Sequence, residues 1–179
     1  MDIAIYGGSF NPPHIGHALV AAWLHWTRQA DAVWLLPTFQ HAFGKDMAAW
    51  PLRVQWCEAL AASLGEAVSV CTLEAELPVP SYSIDTLTEL ARRHPEHRFR
   101  LVIGSDNLLV LDKWKDWDRI EAQYAPIVVG RAGYPCPPDS VVFPEVSSTQ
   151  VRAALAQGEA IQHLIPAAVL DHIPRNVYR

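Results

Sequence analysis

The chain has 179 residues, of which half are apolar and 18% are charged, and its formal net charge is −5. This composition excludes extended disorder, and the length suits a single domain over residues 1–179, with a C-terminal helical part at about 147–179. The acidic balance argues against a nucleic-acid partner, because binding to a phosphate backbone needs concentrated lysine and arginine.

Signals for targeting and for disulfides are absent from the sequence. No basic segment followed by a long apolar stretch opens the chain, and no apolar run approaches the ~18 residues of a membrane span. The three cysteines are widely separated and form no C-x-x-C pair, which favours reduced thiols. We therefore predict a cytoplasmic protein without a membrane partner.

Strand and helix patterns alternate along the chain. Short apolar runs that end at glycine or proline predict strands, and apolar residues three and four apart predict helices. The predicted strands are 3–6, 32–36, 68–73, 98–103, 126–130 and 141–146. The first predicted helix begins at Ile15, and the others cover 51–64, 83–94, 108–123, 148–157 and 166–173.

This alternation predicts an α/β fold of the Rossmann-like type. It consists of a parallel sheet with helices on both faces and a short C-terminal helical appendage. In such sheets, ligands bind beyond the C-terminal ends of the strands. Polar residues that directly follow a predicted strand are therefore the first candidates for a site.

The first strand runs into GGSFNPPHIGH at residues 7–17, here called the histidine motif. Gly7 and Gly8 would let the backbone turn sharply and approach a phosphate closely. Two prolines then lead into a helix, whose first-turn N–H groups can bind an anion. His14 and His17 are three residues apart, so both imidazoles lie on one side of the positive end of that helix.

Other interpretations of this motif stay open. A glycine turn before a helix is common, and either histidine alone could be a structural hydrogen-bonding group. The pair could also be half of a metal site, although no nearby cysteine or carboxylate completes one. The motif is neither the G-x-G-x-x-G of dinucleotide-dependent oxidoreductases nor a P-loop, which argues against both classes.

A second polar segment, VSSTQVR at residues 146–152, is here called the serine motif. Ser147 is the predicted N-cap of the following helix, which places N–H groups and the hydroxyls of Ser148 and Thr149 around an anion. Arg152 lies on the same helical face as Ser148, and its planar fork can hold phosphate oxygens. The alternative is an ordinary helix cap with a solvated arginine.

The two motifs together resemble the nucleotidyltransferase superfamily that shares an H-x-G-H core. The full histidine motif is similar to that of bacterial nicotinate mononucleotide adenylyltransferases. Four more segments resemble that family in the same order, namely 80–87, 103–108, Trp114 and the stretch from Leu164 to the end. The resemblance covers nearly the whole chain. It implies transfer of AMP from ATP to nicotinate mononucleotide, giving nicotinate adenine dinucleotide and pyrophosphate.

The resemblance also implies roles for individual residues. The implied catalytic residues are His14, His17, Arg152 and Lys45. The implied ATP-binding residues are Gly7, Gly8, Ser9, Phe10, His14, His17, Gly104, Asp106, Ser147, Ser148, Thr149 and Arg152. The implied acceptor-binding residues are Ser83, Asp106, Trp114 and Lys115, with Trp114 stacked on the pyridine ring. Asp106 could instead cap the next helix. Mg²⁺ is implied as an ion that arrives with ATP, and no protein cage for a metal is predicted.

The chain departs from the family pattern in two places. Many members carry Pro-Pro-His-Lys after the second strand, where this chain reads PTFQHAFGK at residues 37–45. Lys45 is the candidate for a phosphate-facing cation, with His41 as a helper, or else a solvated lysine on a lid. A tyrosine often follows the acceptor-side tryptophan, and Lys115 stands there instead. Its charge could favour nicotinate over nicotinamide, or it could point into water.

Three alternatives to this function follow from the same residues. Nicotinamide mononucleotide could be the preferred acceptor. Pantetheine-phosphate adenylyltransferase is a second candidate, although that family usually has threonine in place of the first histidine. A non-catalytic nucleotide-binding module is the third, and it would require the loss of a catalytic group that this chain retains.

Overall fold

Strands and helices alternate throughout the computed structural model, which describes residues 1–40, 44, 46–174 and 177–178. The strands are β1 Asp2–Gly8, β2 Ala32–Pro37, β3 Val68–Val70, β4 Arg98–Gly104, β5 Ile127–Arg131 and β6 Val142–Phe143. The α-helices are α1 Ile15–Trp26, α2 Trp50–Leu64, α3 Ser83–Arg93, α4 Trp117–Tyr124, α5 Ser148–Gln157 and α6 Ala167–Leu170. Two 3₁₀ segments cover Leu73–Glu76 and Ser105–Lys113.

The strands form one parallel sheet in the order β3-β2-β1-β4-β5-β6. The chain moves outward from β1 to β3, returns to the middle of the sheet and moves outward again from β4 to β6. Loops that follow β1 and β4 therefore leave in opposite directions, and a crevice opens between them at this switch point. The predicted Rossmann-like α/β fold is confirmed.

Each face of the sheet is covered by helices. Side chains alternate across the strands, so Ile3 and Ile5 pack with α3 and α4, while Ala4 packs with α1, α2 and α5 on the other face. α6 belongs to the same core as α1 and α2, since Val169 is fully buried there. Across the described residues, no helix has the length and apolar character needed to cross a membrane.

Two predicted elements differ from the structure in kind or in length, and two more are shorter than predicted, since the strand predicted at 141–146 covers Val142–Phe143 and the helix predicted at 166–173 covers Ala167–Leu170. The helix predicted at 108–123 is a 3₁₀ segment followed by the separate helix α4. The backbone leaves helical geometry at Val110 and turns through the left-handed region at Asp116, with φ 51°. The strand predicted at 68–73 ends at Val70, because the chain turns into a 3₁₀ segment at Leu73. Apolar spacing predicts burial but does not reveal such breaks.

Candidate active site

A cleft of about 220 Å³, here called the switch-point cleft, opens where the sheet order reverses. It is formed by the carboxyl ends of β1, β4 and β5, the start of α1 and the segment that precedes α5. Five of the predicted site residues line it, namely Gly7, His14, His17, Gly104 and Asp106. Parallel strands therefore bring together residues that lie up to a hundred positions apart in sequence.

The two histidines of the motif contact each other at the start of α1. The backbone N–H of His14 donates to Nδ1 of His17 at 3.1 Å, and the ring centroids are 3.8 Å apart. Because Nδ1 of His17 accepts this bond, its neutral ring carries the proton on Nε2. Gly16 permits this arrangement, since a Cβ there would lie 3.1 Å from the ring of His14.

His14 is neutral at physiological pH. The residue is 7% exposed, and burial, together with the positive charge of Arg131, lowers its pKa to about 4. Its Nδ1 is buried without a hydrogen-bond partner among the described residues. A neutral imidazole can donate one hydrogen bond to an anion but brings no positive charge.

The turn before α1 differs from the predicted one. Gly7 and Gly8 stay in β1, paired with β2, and the left-handed position is Phe10, with φ 45°. The ring of Phe10 is buried 4.8 Å from that of His17, so a nucleotide could contact only the backbone of Phe10. The side chain of Phe10 thus supports the ring of His17, one of the catalytic candidates.

First-turn N–H groups of α1 are partly used by the protein itself. The N–H of Ile15 donates to the carbonyl of Leu164 at 2.8 Å, and that of His17 donates to the carbonyl of His14 at 2.9 Å. Fewer N–H groups than predicted therefore remain for an anion at this helix terminus. An anion at this position would contact mainly the histidine side chains.

The histidine and serine motifs meet directly. The hydroxyl of Ser148 donates to the carbonyl of Pro12 at 2.9 Å, and Arg152 donates to the carbonyl of Asn11 at 2.7 Å. Arg152 also donates to the hydroxyl of Thr149 at 3.1 Å. Ser147 caps α5, its hydroxyl accepting from a backbone N–H three residues on, as predicted. Arg152 and Thr149 line a second, separate depression, together with Asn11.

A buried arginine, which sequence reasoning missed, joins the loops around the histidine motif. Arg53 is 1% exposed, and its guanidinium donates to the carbonyls of Ser9, Thr38 and Ala48 at 2.8–2.9 Å. None of these three partners of the Arg53 guanidinium is a carboxylate. Its only sequence signal is a charged residue on the apolar side of a predicted helix.

Asn11 forms the second unpredicted link. Its side-chain oxygen accepts from the N–H of Ala48 at 3.0 Å and from the hydroxyl of Tyr178 at 2.8 Å. Asn11 is 1% exposed, so these bonds are shielded from water. Tyr178 thereby helps to hold the histidine motif in place.

Asp106 and Arg131 form an ion pair inside the switch-point cleft, with 2.9 Å between Oδ2 and Nη1. Gly104 allows the carboxylate to fold back, since a Cβ there would lie 2.4 Å from Oδ1. Asp106 therefore pairs with a cation rather than capping the next segment. Arg131 was not predicted, although a charged residue directly after β5 was a signal in the sequence.

The remaining acceptor-side candidates lie outside the lining of the switch-point cleft. Ser83 begins α3, and Trp114 borders a separate depression, with its ring edge against Trp117 at 5.7 Å. Lys115 is engaged, since both carboxylate oxygens of Asp85 lie 2.8–2.9 Å from its Nζ. Lys45, the remaining catalytic candidate, and His41, its predicted helper, lie outside the described residues.

The fold and the cleft define a class of protein. A parallel sheet of this strand order, with paired histidines at its switch point, is a nucleotide-binding fold of the nucleotidyltransferase type. The chain belongs to the cytidylyltransferase-like family, whose family model matches residues 5–154.

Curated relatives place it more narrowly. A probable nicotinate-nucleotide adenylyltransferase of Anaeromyxobacter sp. (strain K) is 46% identical over 182 residues, covering 99% of this chain and 97% of the relative. Its counterpart in Myxococcus xanthus (strain DK1622) is 44% identical over 175 residues, covering 96% and 91%. The family predicted from the motifs is confirmed.

Solved structures share the fold. Plasmodium falciparum nicotinic acid mononucleotide adenylyltransferase complexed with NaAD has a TM-score of 0.81 at 19% identity, covering 96% of this chain and 94% of that one. The same enzyme complexed with APC has a TM-score of 0.78, covering 99% and 96%. These likenesses confirm the architecture of the sheet and its helices.

Proposed function

We propose that this protein transfers AMP from ATP to nicotinate mononucleotide, giving nicotinate adenine dinucleotide and pyrophosphate. The observation that carries the proposal is the direct contact of the histidine and serine motifs, through Ser148 and the carbonyl of Pro12 at 2.9 Å. This contact gathers imidazoles, hydroxyls and a guanidinium at one edge of the sheet. The names of the curated relatives support the same activity.

In the proposed reaction, a phosphate oxygen of the acceptor attacks the α-phosphorus of ATP in line. A new bond forms between that oxygen and phosphorus, and the bond from the α-phosphorus to the bridging oxygen breaks, releasing pyrophosphate. The nucleophile is already an anion, so no general base is needed. Alignment of the two reactants can supply roughly 7–11 kcal/mol, and preorganised donors stabilise the charge that develops.

His17 has the leading role in this scheme. Its Nδ1 accepts from the N–H of His14, so a phosphate oxygen would be bound by the Nε2–H side of the ring. The ring rests on Phe10, which limits its rotation. His14 lines the same cleft and acts as a neutral donor, because its pKa is lowered to about 4.

Positive charge must then come from other groups. In this proposal, Arg152 and the hydroxyls of Ser148 and Thr149 hold the outer phosphates from the second depression, and Arg131 supplies a guanidinium in the switch-point cleft. Lys45 completes the proposed set. The backbone of Gly7, Gly8 and Ser9 would face the phosphates from the end of β1 and the residue that follows it.

Mg²⁺ is proposed as the ion that accompanies ATP. Among the described residues lining the cleft, the carboxylates are Asp106 and Glu145, and Asp106 is paired with Arg131. Such a set fits an ion held mainly by triphosphate oxygens and water. When bound, the ion neutralises charge on the triphosphate.

On the acceptor side, Ser83, Trp114 and Lys115 are proposed to bind nicotinate mononucleotide, with Trp114 stacked on its ring. Partners are accordingly small molecules, with no nucleic acid or membrane, and the proposed location is the cytoplasm. The net charge of −5 supports the absence of a nucleic-acid partner.

A product assay tests the proposal. The protein is incubated with ATP, Mg²⁺ and, separately, nicotinate mononucleotide, nicotinamide mononucleotide or phosphopantetheine, and products are identified by mass. We expect nicotinate adenine dinucleotide and an equal amount of pyrophosphate. A faster reaction with another acceptor would reassign the substrate, and ATP binding without pyrophosphate release on any acceptor would contradict the proposal.

A further inference from the structure

The turn that joins α3 to β4 brings two histidines together at the amino end of the sheet. Residues 94–97 read HPEH, and the N–H of His97 donates to the carbonyl of His94 at 3.0 Å, which closes a four-residue turn. Pro95 occupies its second position, where the fixed φ of proline preorganises the backbone. The switch-point cleft lies at the opposite, carboxyl end of the strands.

A carboxylate lies between the two imidazoles of this turn. Oε1 of Glu96 is 3.7 Å from Nδ1 of His94 and 3.4 Å from Nε2 of His97. One ligand atom from each of the three side chains lies within 4.8 Å of the other two. Ligands of a tetrahedral Zn²⁺, at 2.0–2.2 Å from the ion, are roughly 3.3–3.5 Å apart. The turn thus needs only small side-chain shifts to hold one ion.

The imidazoles are held in place by aromatic packing. Their rings are nearly parallel, with an angle of 10° and 5.9 Å between centroids. Both rings meet Trp34 at 83°, His94 at 5.4 Å and His97 at 6.3 Å. Phe99 supports the same pair from β4. Ligands whose rotamers are limited by packing lose less entropy when an ion binds.

Neighbouring charges do not oppose a cation at this turn. Arg93, just before it, is paired with Glu76 at 2.8 Å, and Arg98, just after it, is paired with Asp2. Glu96 is the acid placed between the histidines and supplies a full negative charge. The local balance therefore favours a divalent cation.

We propose that His94, Glu96 and His97 form a binding site for a divalent transition-metal ion of the zinc class. Two imidazole nitrogens and one carboxylate oxygen suit Zn²⁺, Ni²⁺ or Cu²⁺, whereas Mg²⁺ and Ca²⁺ take oxygen ligands. Three protein ligands leave a fourth position for water or for a donor from another molecule. The site is independent of the proposed reaction.

Calorimetric titration of the full, untagged chain with Zn²⁺ tests this site. We expect saturable binding whose tightest component is one ion per chain, and a matching visible absorption spectrum with Co²⁺. His94→Ala, His97→Gln and Glu96→Gln should each weaken that component at least about 10-fold, because each removes one of three ligands. Glu96→Gln changes an exposed side chain and so keeps the test valid if a histidine variant fails to fold.

Two control variants separate this turn from other imidazoles. His163→Ala removes an exposed histidine elsewhere on the surface, and His17→Ala disrupts the histidine pair of α1; neither should change the tight component. The proposal is overturned if the wild-type chain shows no saturable binding. It is also overturned if His94→Ala, His97→Gln and Glu96→Gln all bind Zn²⁺ as tightly as the wild type.

Discussion

The two sides of the proposed reaction site are built in different ways. On the ATP side, Asn11 and Arg53 are almost fully buried, and hydrogen bonds of 2.7–3.0 Å join loops from distant parts of the chain. On the acceptor side, Ser83 and Trp114 are half-buried, and Lys115 is exposed, with its ammonium bonded to Asp85 and lying over the ring of Tyr82. One side is an interlocked core structure, and the other is a set of surface side chains.

This difference shows where substrate specificity can change at little cost in stability. A substitution on the ATP side disturbs shielded bonds that position several loops at once, which costs both stability and geometry. A substitution on the acceptor side changes one partly exposed contact, worth about 0–1 kcal/mol for an ion pair. The substitution of tyrosine by lysine at position 115, relative to the family pattern, falls on the side where change is tolerated.

The largest expected effect comes from His17→Ala. Loss of a preorganised phosphate donor should lower kcat about 10²–10³-fold. The fold should persist, because the ring of His17 lies at the edge of the cleft rather than in the core. Initial rates of pyrophosphate release measure the effect, and far-UV circular dichroism controls for folding. A nearly normal rate would remove His17 from the mechanism.

The pH dependence of stability comes next and reports on the interlocked side. His14 has a pKa of about 4 in the folded protein and an ordinary value of 6.5 when unfolded. Between these values the unfolded chain binds more protons, so stability is full above pH 6.5 and is lost as pH falls towards 4. The loss from this one group is about 3 kcal/mol.

Urea denaturation of the wild type and of His14→Asn, at neutral pH and near pH 4, measures this contribution. The variant is less stable at neutral pH, but its free energy of unfolding should fall less on acidification. Equal acid-induced losses in both proteins would show that His14 is not held neutral by burial.

Arg152→Lys probes the contact between the two motifs. Lysine keeps the charge but cannot bond Asn11 and Thr149 with one planar group. Loss of a charge-assisted bond costs about 1.5–3 kcal/mol, so kcat/KM for ATP should fall roughly 10- to 150-fold. KM for the acceptor should change little. An equal rise in both KM values would indicate a general loss of structure instead.

The smallest effect is expected on the acceptor side. Asp85 neutralises Lys115, so Lys115→Met should change the ratio of rates with nicotinate and nicotinamide mononucleotides by no more than about 5-fold. Asp85→Asn frees the lysine and should raise the preference for the acid form. If Lys115→Met abolishes discrimination, the lysine acts on the substrate despite its ion pair.

The order of strands and helices was predictable because each element carries its own apolar pattern. The break at Val110 and the left-handed turn at Asp116 were not, since neither residue is a glycine or proline that would mark a stop. The sharp turn of the histidine motif was predicted at its glycines and lies at Phe10, which tertiary packing holds in place.

The candidate site was predictable where residues form local motifs. His14, the N-cap residue of α1, and His17 in its first turn bring their rings together, and Ser147 caps α5, so spacing was sufficient. Arg53 and Arg131 were missed because their roles depend on partners tens of residues away. The place of a residue in the apolar pattern predicts which side of a helix or strand it occupies. It does not predict which distant loop the residue will contact.

The bond from Tyr178 to Asn11 links the last described turn of the chain to one of the first loops made. Trp56 reinforces this link by donating to the carbonyl of His172 at 3.0 Å. During synthesis, the loop around Asn11 leaves the ribosome early but gains its last partner only after residue 178 has emerged. Until then, a nascent chain can form its sheet while the loop around Asn11 still lacks the hydrogen bond from Tyr178.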